Sequence, residues 1–203
     1  MSKMKIQISK DDFEQSILAA TSSHSEVFES VEPHFKESYQ RLCQQILGVV
    51  GEAALETSDD LREAVIKAVC LDAFLGVVRH LDLVLTPTGF GVVANNEVTP
   101  ASAARVEALI EQCHIALIVA QDTVMALLTD IPGWGSTLQA KQGIQTVLWS
   151  IEGYCYLTRQ TSMTSKDWMS KLAAMQEADA TLRKLVSDEQ MDDIMCLVRG
   201  VRE

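Results

Sequence analysis

The chain contains no run of basic residues. Its 17 Lys and Arg stand against 28 Asp and Glu, for a net charge of −11 and a pI near 4.8. That balance argues against a protein that coats nucleic acid or an anionic membrane, because both need clustered cations. Nor does any window approach the roughly 18 unbroken apolar residues of a spanning helix, and the opening MSKMKIQISKDD has no apolar core of signal-peptide length. A cytoplasmic protein, or one assembled there, is expected. Paired cysteines are missing too: Cys43, Cys70, Cys113, Cys155 and Cys196 are odd in number, widely spaced and without a C-x-x-C. This suits reduced thiols buried as small hydrophobes.

No stretch rich in Pro, Gly or Ser is long enough to divide domains, and no repeat of fixed period is present, so residues 1–203 read as one domain. Strand and helix signals do not alternate, which argues against a doubly wound sheet. What remains, with 47% hydrophobic and 22% charged residues, is the composition of a globular protein with a sizeable core. The expected fold is mainly α, a single-domain helical bundle with one small β-hairpin.

Helix signals recur along the chain. Ser9 precedes a short helix carrying Phe13 and Ile17, with Asp11 and Asp12 in its first turn, and residues 1–22 read as an N-terminal docking arm. From about Glu26 to Leu55 apolar residues keep helical spacing, with Pro33 a start or kink and Gly48 and Gly51 weakening the end. Thr57 with Asp60 predicts a capping box for the next helix, which runs to about His80 and is apolar on nearly all sides after Ala64. A second such helix follows Pro100, with Val106, Ile110, Cys113, Leu117, Ala120, Val124 and Leu127 in four- and three-residue steps. Asp130, Pro132, Gly133 and Gly135 break the chain around Trp134, which lies over the core or is exposed for contact. Gly143 to Leu157 reads as helix, with a strand as the alternative. In residues 164–203, Thr164 with Asp167 and Ser187 with Gln190 start the last two helices, and Gly200 stops the second.

Residues 82–95 interrupt this pattern. Leu83 to Thr86 and Phe90 to Ala94 read as strands, and Thr86-Pro87-Thr88-Gly89 reads as the turn between them. Asn95 and Asn96 end the second strand, and Thr99 then Pro100 read as an N-cap and first helical position. A lone two-stranded hairpin is marginal in water, so this one must pack on helices or meet a strand of another chain.

The chemistry-bearing residues form no recognisable constellation. His24, His34, His80 and His114 show no ligand spacing, and no metal or other cofactor is implied. Cys155 or Cys113 with a distant His lacks a nucleophile signature, and Gly89 and Gly91 sit in a hairpin rather than at a phosphate-binding helix start. Asp72 stands out, within VCLDAFLGVV on a face shared with Leu61, Val65, Ala68 and Gly76. A buried carboxylate needs a partner, and Arg79 or Arg105 is expected to supply it as a structural ion pair. Glu152, between Ile151 and Gly153, is a weaker case of the same kind.

The run LDLVLTPTGFGVVANNEVTPAS followed by ARV, with the later LVSDEQMDDIMCLVRG, resembles an uncharacterised family of bacterial and prophage proteins from gut bacteria. The matching residues are Val84, Leu85, Thr86, Gly89, Phe90, Val92, Val93, Asn95, Pro100, Ala101, Ser102, Arg105 and Val106, while Ala94 replaces an expected Ser. The resemblance implies a non-enzymatic head–tail connector or head-completion subunit of phage type. Its partners would be a portal or neighbouring connector subunits, it would form homo-oligomers on assembly, and Thr86, Pro87, Phe90, Val92 and Trp134 are the contact candidates. Neither membrane nor sequence-specific nucleic acid is among the expected partners. The alternatives are a helical interaction protein outside any virion and, third, an enzyme whose site is not legible. If the hairpin pairs between subunits, Val92→Glu should disrupt association, read by light scattering, more than the melting temperature. A loss of folding alone would place the hairpin in its own chain's core.

Overall fold

The computed structural model describes residues 4–17, 25–81, 83–86, 89–92 and 103–201. The protein is mainly α. Its helices are α1 (Lys10–Ser16), α2 (Ser25–Leu42), α3 (Gly48–Ala54), α4 (Asp59–Val77), α5 (Ala103–Thr129), α6 (Leu138–Gly143), α7 (Ile151–Thr158), α8 (Ser165–Val186) and α9 (Asp188–Val198). Between α4 and α5 the main chain of β1 (Leu83–Thr86) runs antiparallel to β2 (Gly89–Val92), with Leu83 opposite Val92 and Thr86 opposite Gly89. Pro87, Thr88, Val93, Ala94, Asn95, Asn96, Thr99 and Pro100, the side chains of Thr86, Phe90 and Val92, and residues 1–3 and 18–22 of the docking arm lie outside the described residues.

α4 is the centre of the bundle because its apolar residues run around most of its circumference. Leu61, Val65, Ala68, Val69, Cys70, Leu71 and Ala73 are all nearly inaccessible, and α1, α2 and α5 pack around it. α1 starts with the expected cap: Ser9 and Asp12 form a reciprocal capping box, and Phe13 meets the rings of Phe28, Phe35 and Phe74. α4 is capped one residue later than its sequence suggests, the Leu61 N–H donating to Ser58 Oγ at 3.3 Å instead of a box on Thr57 and Asp60. Ser58 is the last extended residue before the helical run, and only such a residue can turn its hydroxyl onto the first free N–H groups.

The long helix expected from Glu26 to Leu55 is divided. Pro33 lies within α2, and the break comes at a π turn, Cys43–Leu47, which ends where Gly48 takes φ +60°. A π turn displaces carbonyls from the regular ladder. The Ile46 carbonyl accepts from Trp134 Nε1 at 2.9 Å, and the Gln44 carbonyl accepts from Gln139 Nε2 at 3.3 Å. Trp134 is 0% exposed, which corrects the expectation that it is a partner-contact residue: its indole needs an acceptor once buried, and the π turn provides one.

The segment Gly143 to Leu157 is neither one helix nor a strand. α6 ends at Gly143, residues 144–150 form a loop, and α7 begins at Ile151 behind an N-cap at Ser150. α8 and α9 begin at the expected caps, Thr164 and Ser187. Gly200 takes φ +75° where a Cβ would collide with the Thr129 carbonyl, so the chain after α9 lies directly against the end of α5. Arg199 Nε reinforces this, donating to the Ile144 carbonyl at 3.0 Å.

Trp134→Phe removes the N–H that the Ile46 carbonyl accepts and leaves a gap where the larger indole packs, and should cost about 2–4 kcal/mol. Urea denaturation should show a lower midpoint with an unchanged slope.

Candidate functional site

Three places bring together side chains with chemical potential: a polar cleft at α2–α4, a pair of carboxylates on α5, and an apolar surface on the C-terminal helices. The cleft, about 140 Å³, is lined by Ser38, Arg41, Gln45, Asp72 and Gln121 over Leu42, Ala68 and Val69. Arg41 donates to Asp72 Oδ2 from Nη2 at 2.7 Å and from Nε at 3.2 Å, to Glu37 Oε1 at 2.7 Å and to Ser38 Oγ at 3.1 Å. Asp72 therefore has an ion-pair partner, but the expected ones are wrong. Arg79 lies past the end of α4 and pairs with Glu107 of α5 at 2.7 Å and 3.1 Å, while Arg105 is exposed in the first turn of α5. The pairing with Arg41 follows from α2 lying along α4, which no spacing within α4 could reveal.

Asp72 is also less buried than expected. Its side chain retains 30% exposure and that of Arg41 42%, because Gly76, one turn further along the same face, is already exposed. The pair fastens α2 to α4 at the rim of the core, and its guanidinium is largely committed to protein acceptors.

Three of the five thiols are held away from the reactive thiolate, while Cys155 is half-buried and Cys196 exposed. Burial pushes Cys43 up to about 11 and Cys70 up to about 12, and raises Cys113, so these three stay protonated at neutral pH. His34, His80 and His114 are exposed, and His24 lies outside the described residues. Among the described residues no group of three or more His, Cys, Asp or Glu is placed to hold a metal ion. Glu152 is exposed, against the expectation of burial.

The buried carboxylate is instead Asp122 of α5, at 8% exposure. Its Oδ2 accepts the Ile151 N–H, at the first residue of α7, at 2.8 Å. Eleven residues earlier, Glu111 does the same for α8, with Oε1 accepting the Ser165 N–H at 2.6 Å and Oε2 accepting from Ser165 Oγ at 2.8 Å. Eleven residues are three turns and about 20° of rotation, so both carboxylates lie on one face of α5. Ile115, Ile118 and Val119 lie between them and pack with Ile151, Trp168 and Met175. The positive N-terminal ends of α7 and α8 thus each rest on a carboxylate of α5. Desolvation raises the Asp122 carboxyl to about 7, with the charge of Glu152 adding to it and the Ile151 hydrogen bond opposing it. The signal was present in the sequence: Asp122 follows Ile115, Ile118 and Val119 at helical spacing, the same pattern that drew attention to Asp72.

The third feature is a surface. Among the side chains described, Val49 is the large hydrophobic left exposed before residue 138; the others include Tyr156 and Leu157 on α7, Met169, Leu182, Leu185 and Val186 on α8, and Ile194 and Leu197 on α9. On α8, Trp168, Leu172, Met175, Leu182 and Val186 share one face by spacing, buried at Trp168 and Met175 and exposed from Leu182 onward. The helix outruns the α5 face that covers its first half.

Asp72→Ala and Arg41→Ala should each lower the melting temperature, with a double-mutant coupling of about 1 kcal/mol, near the top of the range for a partly exposed pair. Arg79→Ala should change stability by less than about 0.5 kcal/mol in the same assay.

No curated protein and no solved structure matches the chain significantly. A family model does match, over residues 33–144, more than half of the chain. The matched span runs from within α2 to the end of α6, and α7, α8 and α9 follow it. On this match the chain belongs to the family of unknown function designated DUF6712.

Proposed function

We propose that the chain is a non-enzymatic assembly subunit, of the phage head–tail connector or head-completion type, that binds its neighbours through the exposed apolar face of α7, α8 and α9 and through the hairpin at 83–92. The observation that carries this reading is the unequal distribution of exposed hydrophobic residues. A monomer scatters such residues singly, whereas Leu182, Leu185 and Val186 gather within about one turn of α8 past its covered half, and such a cluster marks a contact with another macromolecule. The resemblance carried by Val84 to Val106 supplies the phage context, and the hairpin's strand edges offer main-chain groups for pairing across subunits. The charge of −11 suits a surface that DNA passes without adhering.

Light scattering and negative-stain imaging of the purified protein, alone and with a candidate portal protein, test the reading. Rings of defined symmetry or a stable portal complex support it, and failure to bind any portal candidate counts against it. Within such an assembly Leu185→Glu and Leu197→Glu should weaken association by tenfold or more while leaving the melting temperature within about 2 °C of the parent, because both side chains are already in water in the free subunit.

A further inference from the structure

The seam between the body of the fold and its C-terminal arm holds a titratable group that the assembly reading does not use. α7 and the first half of α8 lie on one face of α5, joined to it by the cluster around Trp168 and by the two carboxylates Glu111 and Asp122. The two differ in setting. Glu111 is half-buried and accepts two hydrogen bonds from Ser165, one on each oxygen. Asp122 is buried and accepts one, from the Ile151 N–H.

An ionised carboxylate out of water requires several donors or a cation, and Asp122 has neither among the described residues. The elements packed about α5 carry charged groups that include Glu152 on α7, Lys171 and Asp179 on α8, Lys67 and Asp72 on α4, with Arg41 on α2 beside Asp72, and Glu111 on α5 itself. Glu152 is the one whose charge acts on Asp122, and it disfavours the anion. Asp72 is neutralised by Arg41, and Asp179 accepts the Val147 N–H. The α7 N-terminus favours the anion, but burial outweighs it.

We propose that Asp122 is a proton-controlled latch: in its neutral form it holds the start of α7 against α5, and its ionisation loosens α7 and the adjoining part of α8 while the α1–α6 body stays closed. The sign follows from linkage. The carboxyl retains its proton to about pH 7 when the seam is closed and loses it near pH 4 when the seam is open. Closure is therefore favoured most at low pH and is progressively lost as pH rises from about 4 through 7. Because the apolar face of α8 runs on from Trp168 and Met175 in this seam to the exposed Leu182 and Val186, the latch would set how firmly that face is presented.

Hydrogen exchange of the full chain, corrected for intrinsic rates, tests the latch. Protection of Ile151 and its neighbours in α7 should fall about tenfold between pH 6 and pH 8, with α4 unchanged. Asp122→Asn retains an acceptor that cannot ionise, and should abolish that fall. Equal pH dependence in the variant, or none in the parent, overturns the proposal. Carboxyl-carbon NMR titration of the parent protein provides a check that needs no variant: a midpoint near 7 for Asp122 supports the latch, and one near 4 overturns it.

Discussion

The structure depends on α5 being apolar on two sides. By length and composition this 27-residue helix would pass as a membrane-crossing segment, an 18-residue window within it having a mean hydropathy of 1.3. In this fold one side, through Cys113, Ala120, Val124 and Leu128, completes the core around α4, and another, through Ile115, Ile118 and Val119, carries α7 and α8. A helix that must satisfy two layers can afford few charges, and those it keeps on the second side are the two carboxylates that meet helix N-termini. The arm is thus positioned by apolar area and oriented by two hydrogen-bonded acids, a division of labour that explains why Glu111 and Asp122 sit three turns apart.

A second constraint ties the ends of the molecule together. The π turn at Cys43–Leu47 displaces carbonyls that the loop after α5 then satisfies through Trp134 and Gln139. The same loop receives the chain leaving α9, where Gly200 allows the close approach and Arg199 reaches back to Ile144. Met191 and Met195 of α9 join the main core. α9 therefore closes the bundle, whereas the far half of α8 projects beyond it. The family match ends before α7, so α7, α8 and α9 follow it, while Glu111 and Asp122, the carboxylates that hold α7 and α8, lie within it.

Much of the helical content was legible locally. Caps at Ser9, Thr164 and Ser187, and the stop at Gly200, are decided by hydrogen bonds between residues three or four apart, so the sequence by itself determined them. The apolar circumference of α4 and α5 likewise announced two central helices. The split of Gly143 to Leu157 into loop and helix was not legible, because the loop is stabilised by contacts such as Val147 with Asp179 across 32 residues.

The polar residues divide along the same line. Their spacing singled out Asp72 and could equally have singled out Asp122, since a lone carboxylate on an apolar stripe is a local pattern. Which of the two is buried, and that Arg41 rather than Arg79 answers Asp72, were decided by how helices pack. The fate of Trp134 was decided in the same way, by a π turn 88 residues earlier in the chain. The reason is physical: helix starts and stops are governed by neighbours within one turn, but burial and pairing of a charge depend on which surface covers it, and that surface exists only once the chain has folded.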